Sequence, residues 1–142
     1  MMKKIYSVLV ENRSGVLCKV AGLFSRRCFN IDSLAVGETD TKDVSCMTIV
    51  SSGDKRTIEQ IEKQLRKLED VRDIKELRPG HSVYRELIMV KLRADASQRG
   101  EIISVADIFR AKIVDVEEDC LMIELTGTKS KLEAFLNLFT HF

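Results

Sequence analysis

One order of apolar patterns is written twice in this chain, and that repeat constrains the fold more than any other feature. Residues 4–11 are rich in Ile and Val and read as a buried strand. Leu17, Val20, Ala21, Phe24 and Cys28 then fall at helical spacing on one stripe. Residues 31–37 and 44–51 read as strands joined by the polar loop 38–43. Gly53-Asp54 punctuates, Ile58, Ile61, Leu65 and Leu68 mark a second helix capped by Asp54 or Thr57, and 71–77 is a last short strand. The order is β-α-β-β-α-β, the ferredoxin-like arrangement.

The same words begin again at residue 85. Residues 85–93 read as a strand, and Ile102, Val105, Ala106 and Phe109 as a helix stripe with Ser97 near its start. Residues 112–117 and 120–126 form a strand pair, and Leu132, Phe135, Leu136 and Phe139 a helix capped by Thr128 or Ser130. Comparing Ile5 with Leu87 and Phe24 with Phe109 puts the period at about 81–85 residues, the size of a small domain rather than of a solenoid repeat. Pro79-Gly80 is the natural break. The expectation is an α+β chain of two ferredoxin-like domains, 1–78 and 83–142, joined by 79–82. The second order is β-α-β-β-α, lacking its last strand, which leaves the edge near 85–93 without a neighbour. Tyr6, Val8 and Val10 alternate with Ile5, Ser7 and Leu9, so both faces of the first strand are largely apolar. That argues for cover by another domain or subunit.

Bulk properties exclude several classes of function. The net charge is +1, which gives no electrostatic case for nucleic acid or an anionic membrane. Tryptophan is absent and aromatics make up 6%, which weakens any base-stacking role. There is no apolar run of membrane length and no signal peptide after the basic start, so a cytoplasmic location is expected. Cys18, Cys28, Cys46 and Cys120 form no Cys-x-x-Cys pair and read as small buried residues in a reducing compartment. His81 and His141 are isolated and read as solvated, and the charge-rich stretches Glu62-Lys63 and Lys67-Glu69-Asp70 read as helix surface. No nucleophile, general base or metal-ligand set stands out.

The distinctive chemistry lies around the first helix. The first strand ends in Asn12, turns at Gly15 and runs into the helix with Val16 and Leu17; Asn30-Ile31-Asp32-Ser33-Leu34 follows its end. Asn and Gly are ordinary turn residues, and Ser14 is a reasonable helix cap. Together, however, glycine backbone open to a ligand, helix-start N–H groups and two carboxamides suit a zwitterion such as a free amino acid.

That joint pattern resembles the ACT domain, a small-molecule-binding regulatory module. "SVLVENRSGVL", "VAGLFSRRCFNIDSL", "MTIVSSGD" and "IEQIEKQLRKLEDV" look like the small regulatory subunit of acetohydroxyacid synthase (acetolactate synthase). "RELIMVKLRA", "IFRAKIVDV" and "LTGTKSKLEAFL" look like the C-terminal domain of the same family. The resemblance implies a non-catalytic homodimer with no cofactor of its own. It would bind a large catalytic subunit that carries thiamine diphosphate, Mg²⁺ and FAD, activate it, and confer feedback inhibition by a branched-chain amino acid, usually valine. It also implies an effector site between ACT domains, with Asn12, Gly15, Val16 and Leu17 from one chain and Asn30 and Ile31 from the other. Backbone N–H groups at 15–17 would hold the carboxylate, the two asparagines would orient the zwitterion, and Val16, Leu17 and Ile31 would meet its side chain. The family often carries Gly at the position of Cys28, which implies a tighter helix exit here, and it usually runs on for another strand and tail.

Three other functions fit the same β-α-β-β-α-β order. A stand-alone amino-acid sensor would partner another enzyme or a transcription factor. An acylphosphatase-like enzyme needs a phosphate cradle, which Arg13 and Gly15 mimic faintly. An RNA-binding module needs exposed aromatics on the central strands, which this chain lacks.

Overall fold

The computed structural model describes residues 1–142 and separates into two units, Met1–Ser82 and Val83–Phe142. The first unit runs β1 (Met2–Glu11), α1 (Val16–Arg26), β2 (Asn30–Glu38), β3 (Val44–Gly53), α2 (Lys55–Leu65) and β4 (Val71–Glu76). Its antiparallel sheet has the order β2-β3-β1-β4. Alternation along β1 sends Tyr6, Val8 and Val10 to the helix-covered face. There they meet Met47 and Ile49 of β3, Val20 and Phe24 of α1, and Ile58, Ile61 and Leu65 of α2. Each such side chain contributes about 1.5–3 kcal/mol on full burial. Tyr6, the one aromatic on β1 and β3, is buried with its hydroxyl donating to Ile58 O at 3.3 Å, so this sheet has no stacking platform.

The second unit runs β5 (Glu86–Arg93), α3 (Arg99–Ile108), β6 (Lys112–Val116), β7 (Cys120–Gly127) and α4 (Lys129–Asn137). Its sheet has three strands in the order β5-β7-β6, so β5 has no counterpart of the β4 neighbour that β1 enjoys. The core gathers Leu92, Ile102, Leu121, Ile123, Leu125 and Leu132 around an edge-to-face ladder of phenyl rings. Phe109 stands 5.3 Å from Phe135, and Phe135 stands 4.8 Å from Phe139. No helix is long and apolar enough to cross a membrane.

The period of the repeat is 82 residues through the first helix and second strand. Cys28 and Arg110, both left-handed at φ 56° and 57°, close α1 and α3, and they lie 82 positions apart. Phe29 N donates to Phe24 O (2.9 Å) and Ala111 N to Ala106 O (2.8 Å), the same helix-ending bond in each copy. The bulges at Ile31/Ser33 and Ile113/Asp115 share that offset. Phe24 therefore corresponds to Ala106, not to Phe109. Cys28 occupies a backbone conformation that glycine adopts without strain.

Several side chains depart from the sequence expectation. α1 buries Val16, Val20, Leu23 and Phe24, a stripe rotated from the expected one, which leaves Leu17 and Cys28 exposed. Cys18 is exposed as well, so two of the four cysteines are surface residues, and only Cys120 is buried. Cys18 points away from the sheet, and Cys28 sits in the turn beyond the helix. Asp54 and Thr128 cap α2 and α4, accepting from Thr57 N and Lys131 N. Ser14 caps nothing: Gly15 is the cap residue of α1, with no side-chain hydrogen bond. Asp70 is 5% exposed rather than on a solvated helix face.

Candidate functional site

β1 delivers the chain to the site, and Gly15 turns it. Gly15 has φ 87° and ψ −10°, a left-handed conformation that side chains resist. A Cβ at Gly15 would meet nothing within 4 Å, so the space above the turn is open to a ligand. Val16 N donates back to Arg13 O at 3.3 Å. With no side-chain cap, the N–H groups of Leu17 and Cys18 face outward at the positive helix end, where an anion is favoured. The Val16 side chain is 3% exposed and belongs to the core, so it offers a ligand only its backbone. Leu17, 45% exposed, is the apolar side chain available there.

Asn12 follows directly. Its backbone N–H donates to Asp43 O at 2.8 Å, and its side chain lines a cleft of about 210 Å³ shared with Glu38, Thr39 and residues 41–44 of the hairpin loop. Asn30 begins β2. Its amide donates to Asp32, which also accepts from Ser52 Oγ at 3.1 Å, and this leaves the Asn30 side-chain oxygen as an acceptor. Ile31 is half-buried against the core edge.

Within one chain these two halves are far apart. Asn30 pairs with Ser52, and Ser52 with Lys3. Asn12 follows Glu11 at the opposite end of β1. At roughly 3.3 Å per residue, the sheet separates the two asparagines by about 30 Å. Gly15, Leu17 and Asn12 gather at one end, Asn30 and Ile31 at the other.

β2 is an edge strand of nine residues, and Leu34 and Val36, on its helix side opposite Ile49 and Met47, remain 38% and 46% exposed. A long edge with exposed apolar side chains is a template for another strand. Sequence patterning does not reveal the exposure of either residue, because their alternation matches that of an ordinary core strand.

The residue most clearly missed is Asp70. α2 ends at Leu65, and Asp70 lies beyond it in the turn before β4. Its carboxylate pairs with Arg13 and with Lys19 Nζ at 2.8 Å. Lys19, then Arg13, hold the Asp70 carboxyl below the usual carboxylate range against the opposing effect of burial. Glu11 N donates to Asp70 O at 2.9 Å, and Arg72 grips the Glu11 carboxylate through two bonds of 2.6 and 3.0 Å, which lowers the Glu11 pKa. Arg13 is thus committed to an ion pair, unlike the free arginine of a phosphate cradle.

One grouping of metal-type ligands exists: Glu117, Asp119 and Cys120 lie within 4.8 Å of one another. The Cys120 thiol donates to Glu117 at 3.1 Å, and the Lys91 ammonium stands 3.4 Å from the same carboxylate. A proton and a cation already satisfy that corner.

Comparison with known proteins agrees with this fold. Residues 6–73 match the AHAS small subunit-like ACT domain, and residues 85–142 match the small subunit of acetolactate synthase. The chain is 54% identical over 132 residues to an acetolactate synthase small subunit of Mycobacterium avium, covering 93% of this chain and 79% of that one. It is 51% identical over 139 residues to a probable acetolactate synthase small subunit of Methanothermobacter thermautotrophicus, covering 97% and 83%. Its structure is similar to the crystal structure of the acetolactate synthase small subunit from Thermotoga maritima, with TM-score 0.92, 44% identity, and coverage of 99% and 88%.

Proposed function

The chain belongs to the family of acetolactate synthase small subunits, and on that premise we propose that it controls its catalytic partner by sensing a branched-chain amino acid at a site completed by a second copy of itself. Catalytic activity lies in the large subunit of such a synthase, and the ACT domain suits a regulatory role. Thiamine diphosphate, Mg²⁺ and FAD would stay with the large subunit. A cytoplasmic setting suits four free cysteines, two of them exposed.

The separation of Asn12 from Asn30 carries the proposal. Antiparallel pairing of two β2 edges about an axis at Leu34 sets Asn30 of the second copy opposite Glu38. Glu38 pairs with Ser45, and Ser45 with Val10, so this is the end where Asn12 and Gly15 lie. The exposed Leu34 and Val36 would be covered in the same step. The effector carboxylate would face the helix-start N–H groups, its ammonium the oxygens of Asn30 and Asp32, and its aliphatic tail Leu17 and Ile31. Binding that links two chains biases the assembly between states of different affinity, which is what regulation of a partner requires.

Calorimetric titration with valine, leucine and isoleucine, with sedimentation in parallel, tests this. The expected outcome is saturable binding by a dimer that co-purifies with a large catalytic subunit. Full-affinity binding by monomers would overturn the shared site. Binding without any synthase in the pull-down would favour a stand-alone sensor.

A further inference from the structure

We infer that Asp70 is a positioning residue for the effector site, holding the Asn12–Gly15 turn in its receptive form from outside the turn. The inference rests on the effector role of that turn. Asp70 is nearly inaccessible, yet its two partners are largely exposed: the side chains of Arg13 and Lys19 keep 64% and 63% of their surface. A buried carboxylate is costly unless cations satisfy it. The two that do so bracket Gly15 in sequence, one before the turn and one in the first turn of α1, where Lys19 N also donates to Gly15 O at 3.0 Å. The Asp70 carbonyl and Arg72 hold Glu11, the last residue of β1. Strand end, turn and helix start are therefore all tied to residues 70–72.

Two consequences follow for a ligand. The turn carries a left-handed glycine and no capping side chain, so its outward N–H groups stay aimed only if something else fixes it. Order supplied in advance is order the ligand does not have to impose, and this raises affinity. Asp70 also cancels one of the two cations beside the helix start, so Asp70→Asn raises the local positive charge, and a loss of affinity in that variant reads the positioning of the turn and not its charge.

The test is calorimetric titration of the full chain with valine, leucine and isoleucine, using wild type, Asp70→Asn, Lys19→Met, the double variant and Glu62→Gln. Asp70→Asn and Lys19→Met are each expected to raise the half-saturating concentration about tenfold, the scale of a lost charge-assisted hydrogen bond. The double variant should be no worse than the weaker single, because both remove one coupling. Glu62→Gln breaks the Glu62–Arg66 pair on α2 and should stay within about twofold of wild type. Lys19 is largely exposed, so Lys19→Met keeps the test decisive should Asp70→Asn lower fold stability. Wild-type affinity in both single variants, or additive losses in the double, overturns the positioning role. Absence of binding by wild type to all three amino acids overturns the effector site itself, and the positioning role with it.

Discussion

At the same point of the repeat, the turns that lead into α1 and α3 are built in opposite ways. α1 starts from Gly15 in a left-handed turn with no side chain on its N–H groups. α3 starts at Arg99 after Gln98, again with no side-chain cap, but the turn before it is closed by Asp95, whose carboxylate accepts from Ser97 N at 2.8 Å and Gln98 N at 3.1 Å. By the 82-residue offset, Asn12, Gly15 and Asn30 correspond to Ala94, Ser97 and Lys112. The second copy has lost both carboxamides and the glycine, and its turn is closed by an internal carboxylate where the first copy leaves room for an external one. The helix exits, the β-bulges and the caps at Asp54 and Thr128 are shared, so the two copies differ where a ligand would sit and agree where only the chain must turn.

Gly15→Asp is the sharpest way to break that contrast, because it puts a carboxylate into the first turn as Asp95 does in the second. Strain at φ 87° and occupation of the anion position are expected to abolish valine binding, a loss of at least about a hundredfold by titration. Unchanged affinity would show that the open helix start is not the anion site. Leu34→Asp comes next. It faces two carboxylates across the proposed two-fold axis and should weaken the dimer by about 3 kcal/mol, or roughly a hundredfold, in sedimentation. Effector response should fall with it; a dimer that persists unaltered would place the interface elsewhere.

Asp95→Ala should lower Tm by about 3 °C, by removing the carboxylate that closes the turn before α3, with effector affinity untouched. A change in effector affinity would mean that the second copy is not merely structural. The smallest effect is a slope. Asp70 has a lowered folded pKa, so its stabilisation is present above the ordinary carboxylate range and is lost as pH falls through the lowered value. Thermal melts from about pH 6 down to about pH 3 should therefore show a steeper acid decline for wild type than for Asp70→Asn. Parallel declines would remove Asp70 from the account of acid stability.

Much of this was legible in the sequence. Asn12, Gly15 and Asn30 drew attention because Asn-x-x-Gly before a helix is a local signal, and the caps at Asp54 and Thr128 are local too. Asp70 was not legible. It ends a charged run that reads as helix surface, and its partners Arg13 and Lys19 lie 57 and 51 positions away. The stripe of α1 was read off by one step because Leu17 and Val16 are equally apolar, and only the sheet beneath selects Val16.

The sequence by itself determined the order of elements, their twofold repetition, the family and the residue types at the first turn. Those follow from periodicity, capping and turn chemistry acting over a few residues. The tertiary structure decided which faces are buried, that the repeat aligns Phe24 with Ala106, and that Asn12 and Asn30 stand at opposite ends of one sheet. Strand register fixes such relations, and register is set by pairing between residues as much as 70 positions apart, which no local pattern encodes.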